Sequence, residues 1–255
     1  MTASETHLQA LKEKITNRTA IVGVVGLGYV GLPFAVEKAK VGFRVIGVEQ
    51  NPRRAELVNR GESYIADVPT EVLKEVVDKG LLRAETGFDR VAEMDVIVIA
   101  VPTPLTRNLT PDLQYVERVT REIAPRLRPG QLISLESTTY PGTTEEVMLP
   151  ILEQRGLKVE EDFFLVHSPE RVDPGNKRYT TRNTTKVVGG VGPRSLEAGV
   201  FFYSQTIEKV VPVSSAKAAE LVKVFENTFR AVNIALVNEL AMLCDRMGLN
   251  VWEVL

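Results

Sequence analysis

Residues 26–31 of this chain read Gly-Leu-Gly-Tyr-Val-Gly, and the segments on either side give that hexapeptide its force. Before it, Ala20 to Val25 is an apolar, β-branched run that reads as a buried strand; after it, residues 30–40 read as a helix. At such a strand–helix junction Gly26 permits a tight turn, Gly28 lets a pyrophosphate approach the backbone, and Gly31 allows close packing of helix on strand. The first-turn N–H groups then face an anion. The next apolar strand, 44–49, ends in Glu49, 23 positions after Gly26. A carboxylate there can accept both ribose hydroxyls and would repel a 2′-phosphate, which argues for NAD over NADP. Arg54 nearby pulls the other way. Without the flanking strand, helix and acid, the glycines would indicate only a turn.

The rest of the chain extends the alternation. An amphipathic helix carrying Leu8, Leu11 and Ile15 precedes the first strand. Helices are expected near 53–60, 70–79, 143–155 and 194–203, with a further helix ending near Pro129-Gly130. Strands are expected at 95–101, 132–135, 163–167, 186–188 and 209–211. Asp95-Val-Ile-Val-Ile-Ala-Val101 lacks polar alternation, as a parallel strand covered on both faces should. The fold class is α/β, a Rossmann-type doubly wound parallel sheet followed by a long central helix. The expected division is residues 1–212 for the dinucleotide-binding domain and 213–255 for the start of a helical domain.

After Pro212 the character changes. With Ser214 as N-cap, about thirty residues follow without Gly or Pro until Gly248, enough for a helix of roughly 50 Å. Its apolar residues, Leu221, Val222, Phe225, Phe229, Ile234 and Leu236 among them, cover most of its circumference. Such a helix must be buried, and what remains of the chain is too small to bury it alone. A partner subunit, or sequence beyond these residues, is required. Asn250 to Leu255 reads as the start of another helix.

Composition narrows the chemistry. With 31 basic and 33 acidic residues the net charge is −2, so no global field favours nucleic acid or an anionic membrane. One cysteine, Cys244, and two histidines, His7 and His167, argue against disulfides and metal sites. Cys244 reads as helix packing and His167 as a satisfied core residue. No apolar signal-peptide core or membrane-length run is present, and a soluble, cytoplasmic protein is expected.

Lys223, Asn227 and Arg230 stand at i, i+4 and i+7 and so share one face of the long helix. They are either intersubunit salt-bridge partners, with Glu220 or Glu226, or a site for an anionic substrate in which Lys223 moves a proton. Two loops after strands could face them. One is Ser137-Thr138-Thr139. The other is Ser168-Pro-Glu-Arg-Val-Asp-Pro-Gly175, where Pro169, Pro174 and Gly175 stiffen the chain around Glu170 and Arg171. The alternative for Glu170 and Arg171 is a solvated ion pair with no part in a site.

Taken in order, the Gly26 loop, Val101-Pro-Thr-Pro104, Glu136-Ser-Thr-Thr-Tyr-Pro-Gly142, Ser168 to Gly175 and Glu220-Leu-Val-Lys-Val-Phe-Glu-Asn-Thr-Phe-Arg230 resemble the UDP-glucose/GDP-mannose dehydrogenase family. The Ser-Pro-Glu-Arg-Val form is most similar to the branch that oxidises UDP-N-acetylhexosamines. The resemblance implies oxidation of a sugar C6 alcohol to a carboxylate by two hydride transfers to NAD. It implies cofactor contacts from Gly26, Gly28, Tyr29, Val30, Gly31, Glu49, Arg54, Thr103 and Thr138. It implies substrate contacts from Arg171, Val172, Lys223, Asn227 and Arg230, with Lys223, Glu170, Asn227 and Thr138 serving catalysis. Lys223 handles protons at C6, Glu170 assists hydrolysis of a covalent intermediate, and the long helix, 214–247, builds a homodimer. The family's nucleophile is a cysteine in a Gly-rich loop beyond that helix, a segment outside these residues. Cys244 does not match its motif. The expectation is a truncated product or fragment that binds NAD with little or no turnover.

Two alternatives remain at this point. A β-hydroxyacid or 6-phosphogluconate-type dehydrogenase also joins such a domain to a long helix with a Lys-x-x-x-Asn pair and needs no cysteine. A non-catalytic NAD-binding dimerisation module is the other.

Overall fold

The computed structural model describes residues 2–172 and 180–255; Asp173, Pro174 and Gly175 of the expected stiff loop lie outside them. Chain order is α1 (Ala3–Thr16), β1 (Ile21–Val25), α2 (Gly31–Lys40), β2 (Arg44–Val48), α3 (Pro52–Asn59), α4 (Thr70–Asp78), β3 (Leu82–Glu85) and β4 (Val96–Ile99). Then come α5 (Gln114–Ile123), β5 (Leu132–Leu135), α6 (Leu149–Leu152), β6 (Phe164–His167), β7 (Lys186–Gly190), α7 (Pro193–Tyr203), β8 (Val210–Val213), α8 (Ala216–Met247) and α9 (Val251–Val254).

The strands form one sheet in the order β3-β2-β1-β4-β5-β6-β7-β8. Every neighbouring pair is parallel except β6 and β7, where Val166 faces Gly190 and His167 faces Gly189. Burial follows from helices on both faces. In β4, Val96 and Val98 join one hydrophobic core while Ile97 and Ile99 join the other. Strand order reverses between β1 and β4, and a crevice opens at the carboxyl ends of strands at such a point.

Four details depart from the sequence expectations. The helix expected to end near Pro129-Gly130 stops at Ile123 and is followed by a 3₁₀ turn at Ala124–Arg126. Strand β3 was not anticipated, because Leu82-Arg-Ala-Glu85 is a short edge strand with exposed Arg83 rather than a continuous apolar run. The expected helix at 143–155 opens as a π-type turn over Thr144–Met148, continues as α6 and ends in a 3₁₀ turn at Glu153–Arg155. The N-cap of α8 is Ser215 instead of Ser214: its hydroxyl accepts a hydrogen bond from the Ala218 N–H at 3.1 Å.

Helix α8 is 32 residues long, or about 48 Å. Its first turns pack on the sheet, with Ala216, Ala219 and Glu220 buried, and Cys244 is buried near the other end. Between them its apolar face is open: Phe225, Phe229, Val232 and Leu236 are each more than 60% exposed. The burial expected of this helix is therefore not supplied by the chain itself.

Candidate active site

The Gly26–Gly31 turn forms as the sequence requires. Gly26 has φ +90°, and a Cβ there would stand 2.6 Å from the Ala100 carbonyl oxygen; at Gly31 it would stand 1.8 Å from the Gly26 oxygen. At Gly28 a Cβ would meet nothing within 4 Å, so the chain leaves open space where a pyrophosphate would approach. Glu49 is buried at the end of β2, its Oε2 accepting from the Leu27 N–H at 3.1 Å and its Oε1 from the Asn51 N–H at 2.9 Å. These bonds fix the acid against the glycine turn. Arg54 stacks over the Tyr64 ring at 5.4 Å, and the Tyr64 hydroxyl donates to the Leu27 carbonyl at 2.7 Å.

A cleft of about 1090 Å³ follows, lined by Gly26, Gly28, Tyr29, Val30, Glu49 and Arg54 among others. Val30, Ala100, Val101 and Pro102 form a wall shared with a smaller cavity of about 240 Å³, where Thr103, Thr138, Glu170, Val172 and Lys223 converge. The loops after β4 and β5 are tied together there: the Thr103 hydroxyl donates to the Thr138 carbonyl and the Ser137 hydroxyl to the Val101 carbonyl, both at 2.7 Å. A third cavity, about 630 Å³, lies between Arg171 and Thr184 on one side and α8 on the other, where it takes in Phe225, Glu226, Phe229 and Arg230.

The polar stripe on α8 is thus divided. Lys223 faces the small cavity beside the 1090 Å³ cleft, Arg230 faces the outer cavity, and Asn227 is exposed and lines neither. The partners suggested for the stripe are engaged elsewhere. Glu226 pairs with Arg171, and Glu220 accepts from the Gly142 and Thr144 N–H groups. A solvated Glu170–Arg171 ion pair does not form either. Glu170 Oε1 accepts the Arg171 and Val172 backbone N–H groups at 2.7 and 2.8 Å, and its Oε2 accepts from Lys186 Nζ at 3.2 Å.

Sequence reasoning missed Glu136, Lys186 and Tyr203. Lys186 Nζ also stands 3.2 Å from Glu136 Oε2, and Glu136 Oε1 accepts from the Tyr203 hydroxyl at 2.8 Å. Glu136, Lys186 and Tyr203 are almost wholly buried. Burial works against the charge of Lys186, but the two carboxylates outweigh it and hold its pKa above the ordinary value. Burial likewise opposes ionisation of Glu170; Lys186 and the Val172 and Arg171 N–H groups outweigh it, and its carboxyl lies below the usual range. For Glu136 burial wins, and its pKa is raised. The available signal was a lysine opening the apolar run Lys-Val-Val-Gly-Gly, with a glutamate closing Leu-Ile-Ser-Leu-Glu.

His167 is buried, as expected, but not satisfied: neither ring nitrogen has a hydrogen-bond partner, and Nδ1 stands 4.0 Å from Glu220 Oε1. Burial, with Lys186 nearby, pulls its pKa down to about 3, so the ring is neutral. Cys244 is buried on α8 and lines none of the three cavities. No helix among the described residues is long and apolar enough to cross a membrane.

Residues 20–207 match the UDP-glucose/GDP-mannose dehydrogenase family's NAD-binding domain, and residues 217–255 match its central domain. An NDP-N-acetyl-D-galactosaminuronic acid dehydrogenase of Ralstonia nicotianae is 39% identical over 244 residues, covering 92% of this chain and 56% of the relative. A UDP-N-acetyl-D-mannosamine dehydrogenase of Escherichia coli K12 is 38% identical over 244 residues, covering 92% of this chain and 57% of the relative. The chain therefore spans little more than half the length of these curated relatives. The solved UDP-D-ManNAc dehydrogenase of Pyrococcus horikoshii superposes with a TM-score of 0.86 at 36% identity, over 92% of this chain and 56% of that one. A 3-hydroxyisobutyrate dehydrogenase of Mycobacterium tuberculosis, TM-score 0.67 at 19% identity, covers 91% of this chain and 67% of that one and shares the fold alone. Matches along nearly the whole sequence place the chain in the UDP-glucose/GDP-mannose dehydrogenase family, with that family's NAD-binding domain as its larger part.

Proposed function

We propose that this chain carries the cofactor site and the sugar-facing edge of a nucleotide-sugar 6-dehydrogenase acting on a UDP-N-acetylhexosamine. The observation that carries the reading is the shared wall between the two cavities. Across Val30 and Val101 the NAD cleft adjoins the cavity lined by Thr138, Glu170, Val172 and Lys223. An alcohol carbon seated there lies between a hydride acceptor and two groups able to manage protons.

NAD supplies the two-electron acceptor. The net change is a C6 alcohol and one water converted to a carboxylate, with two hydrides leaving carbon and three protons released. Lys223 takes the hydroxyl proton as each C–H bond breaks. Glu170, clamped at both oxygens, accepts a hydrogen bond from the water that adds at C6 and orients it. Thr138 and Thr103 hold the loop edge between cofactor and sugar. Arg171 and Arg230, on the outer cavity, suit the diphosphate. Asn227 belongs to this site only if a ligand or partner turns α8 or covers its exposed face. Homodimerisation through residues 214–247, and the division between domains at residue 212, belong to the same proposal. The exposed phenylalanines of α8 support the dimer.

The similarity to N-acetylhexosamine-type dehydrogenases favours the UDP-N-acetylhexosamine branch, whereas only fold-level similarity favours a small hydroxyacid. A thermal-shift screen of the NAD-loaded chain separates these. UDP-N-acetylglucosamine or UDP-N-acetylmannosamine is expected to raise the melting temperature; a response to 3-hydroxyisobutyrate alone would reject the proposal. With pure 255-residue polypeptide, little or no steady NADH production is expected, because no thiol lines the cavities.

A further inference from the structure

The single antiparallel pairing in the sheet has a chemical consequence. In an all-parallel sheet the first residue of a strand lies at the amino edge, far from the ligand crevice. Because β7 runs against β6, its first residue lies at the carboxyl edge instead. Continuing the register of His167 with Gly189 for three residues past the end of β6 brings Lys186 level with Glu170. The Ser168 hydroxyl, donating to the Val187 carbonyl at 2.9 Å, holds the two segments at that spacing.

We propose that Lys186, braced by Glu136, is a positioning residue that locks Glu170 as an anionic acceptor facing the cavity beside the cofactor cleft. Both Glu170 oxygens are restrained, Oε1 by two backbone N–H groups and Oε2 by the Lys186 ammonium. The carboxylate therefore cannot turn away, and every bond it makes is one it accepts. A carboxyl group so placed works as a base or water acceptor and not as an acid. Lys186 is fixed in turn. It is 3% exposed, 3.2 Å from Glu136, and 5.3 and 5.9 Å from the ring centroids of Tyr203 and Phe34. Glu136 is held from behind by Tyr203, whose hydroxyl also meets the Ser134 hydroxyl at 2.7 Å. The chain Ser134–Tyr203–Glu136–Lys186–Glu170 thus runs from β5 and α7 to the site. It involves residues outside the set that the resemblance implies, apart from Glu170.

The inference rests on the proposed role of Glu170, and its test reads the carboxyl group directly. Carboxyl ¹³C NMR of glutamate-labelled protein, with Glu170 assigned from Glu170→Gln, follows its titration in the whole chain. Wild-type Glu170 is expected to titrate below an ordinary glutamate; a midpoint at or above the ordinary value would overturn the proposal. In the charge-neutral pair Glu136→Gln with Lys186→Met, the midpoint should rise by about one pH unit or more. An unmoved midpoint in that folded variant would mean that Lys186 only fills space. Lys186→Arg keeps the charge and should keep the low midpoint; a rise matching the double variant would contradict the proposal, even should the double variant fail to fold. Failure of the substrate reading would look different. UDP-N-acetylglucosamine would then not bind the NAD-loaded wild type, while Glu170 still responded to Lys186.

Discussion

The Glu220 carboxylate accepts both the N–H and the hydroxyl of Thr144, at 2.8 and 2.7 Å, so the root of α8 is fastened to the loop that follows β5. Its other oxygen accepts the Gly142 N–H. Lys223 stands one turn further along α8, and its place beside Glu170 depends on this anchor. Glu220→Ala would leave two buried N–H groups and a hydroxyl without an acceptor, each worth about 1–3 kcal/mol. Chemical denaturation is expected to show a loss of about 3 kcal/mol or more, and Glu220→Gln, which keeps one acceptor oxygen, a smaller loss.

The three glycines of the cofactor turn should fail differently when replaced by alanine. Gly31→Ala drives a Cβ into the Gly26 carbonyl, and Gly26→Ala adds strain at a positive φ, so both should lower the melting temperature. Gly28→Ala meets open space and should keep wild-type stability, yet weaken NAD about tenfold or more by blocking the pyrophosphate. Equal NAD affinity in Gly28→Ala and wild type, by fluorescence titration, would contradict this assignment.

Buried His167 ties stability to pH. Its folded-state pKa is about 3, against about 6.5 unfolded, so below the unfolded value the unfolded chain gains a proton that the folded chain refuses. Stability from this group is complete above about pH 6.5 and is lost as pH falls toward 3. The difference in unfolding free energy between wild type and His167→Leu should change by about 1.4 kcal/mol per pH unit in that window. A difference that does not vary with pH would mean that the ring gains a proton while folded.

Helix α8 was legible as a helix, and its unmet burial was legible too. The spacing of Leu221, Phe225, Phe229 and Leu236 called for cover that the chain does not supply. Phe225→Asp with Phe229→Asp is therefore expected to abolish dimers that wild type forms in analytical ultracentrifugation, since each phenylalanine contributes about 1.5–3 kcal/mol when buried. A wild-type chain that stays monomeric at all concentrations would rule out this interface.

The glycine turn with Glu49 held against it was readable because its information is local: glycine spacing and Glu49 lie within one βαβ unit. The half proposed to face the sugar depends on register. That Glu170 meets Lys186 follows from one antiparallel pairing, and neither residue carries a pattern that announces it. The same limit explains the alternative of a Glu170–Arg171 ion pair, which adjacency suggested and which separate partners, Lys186 and Glu226, replace. Edge strand β3 escaped because Arg83 and Glu85 break the apolar run by which buried strands are recognised. Ser215 replaced Ser214 as the cap because boundaries are set by which hydroxyl reaches an N–H, a matter of one residue.

The proposal that a nucleotide sugar lies between the NAD cleft and α8 is tested most directly by calorimetric titration of UDP-N-acetylhexosamines into the NAD-saturated chain. Saturable binding is expected, weakened about tenfold or more by Lys223→Ala and by Arg171→Ala, and unchanged by Arg83→Ala on the far edge. Absence of binding by the wild-type chain, or binding indifferent to both Lys223 and Arg171, would contradict it.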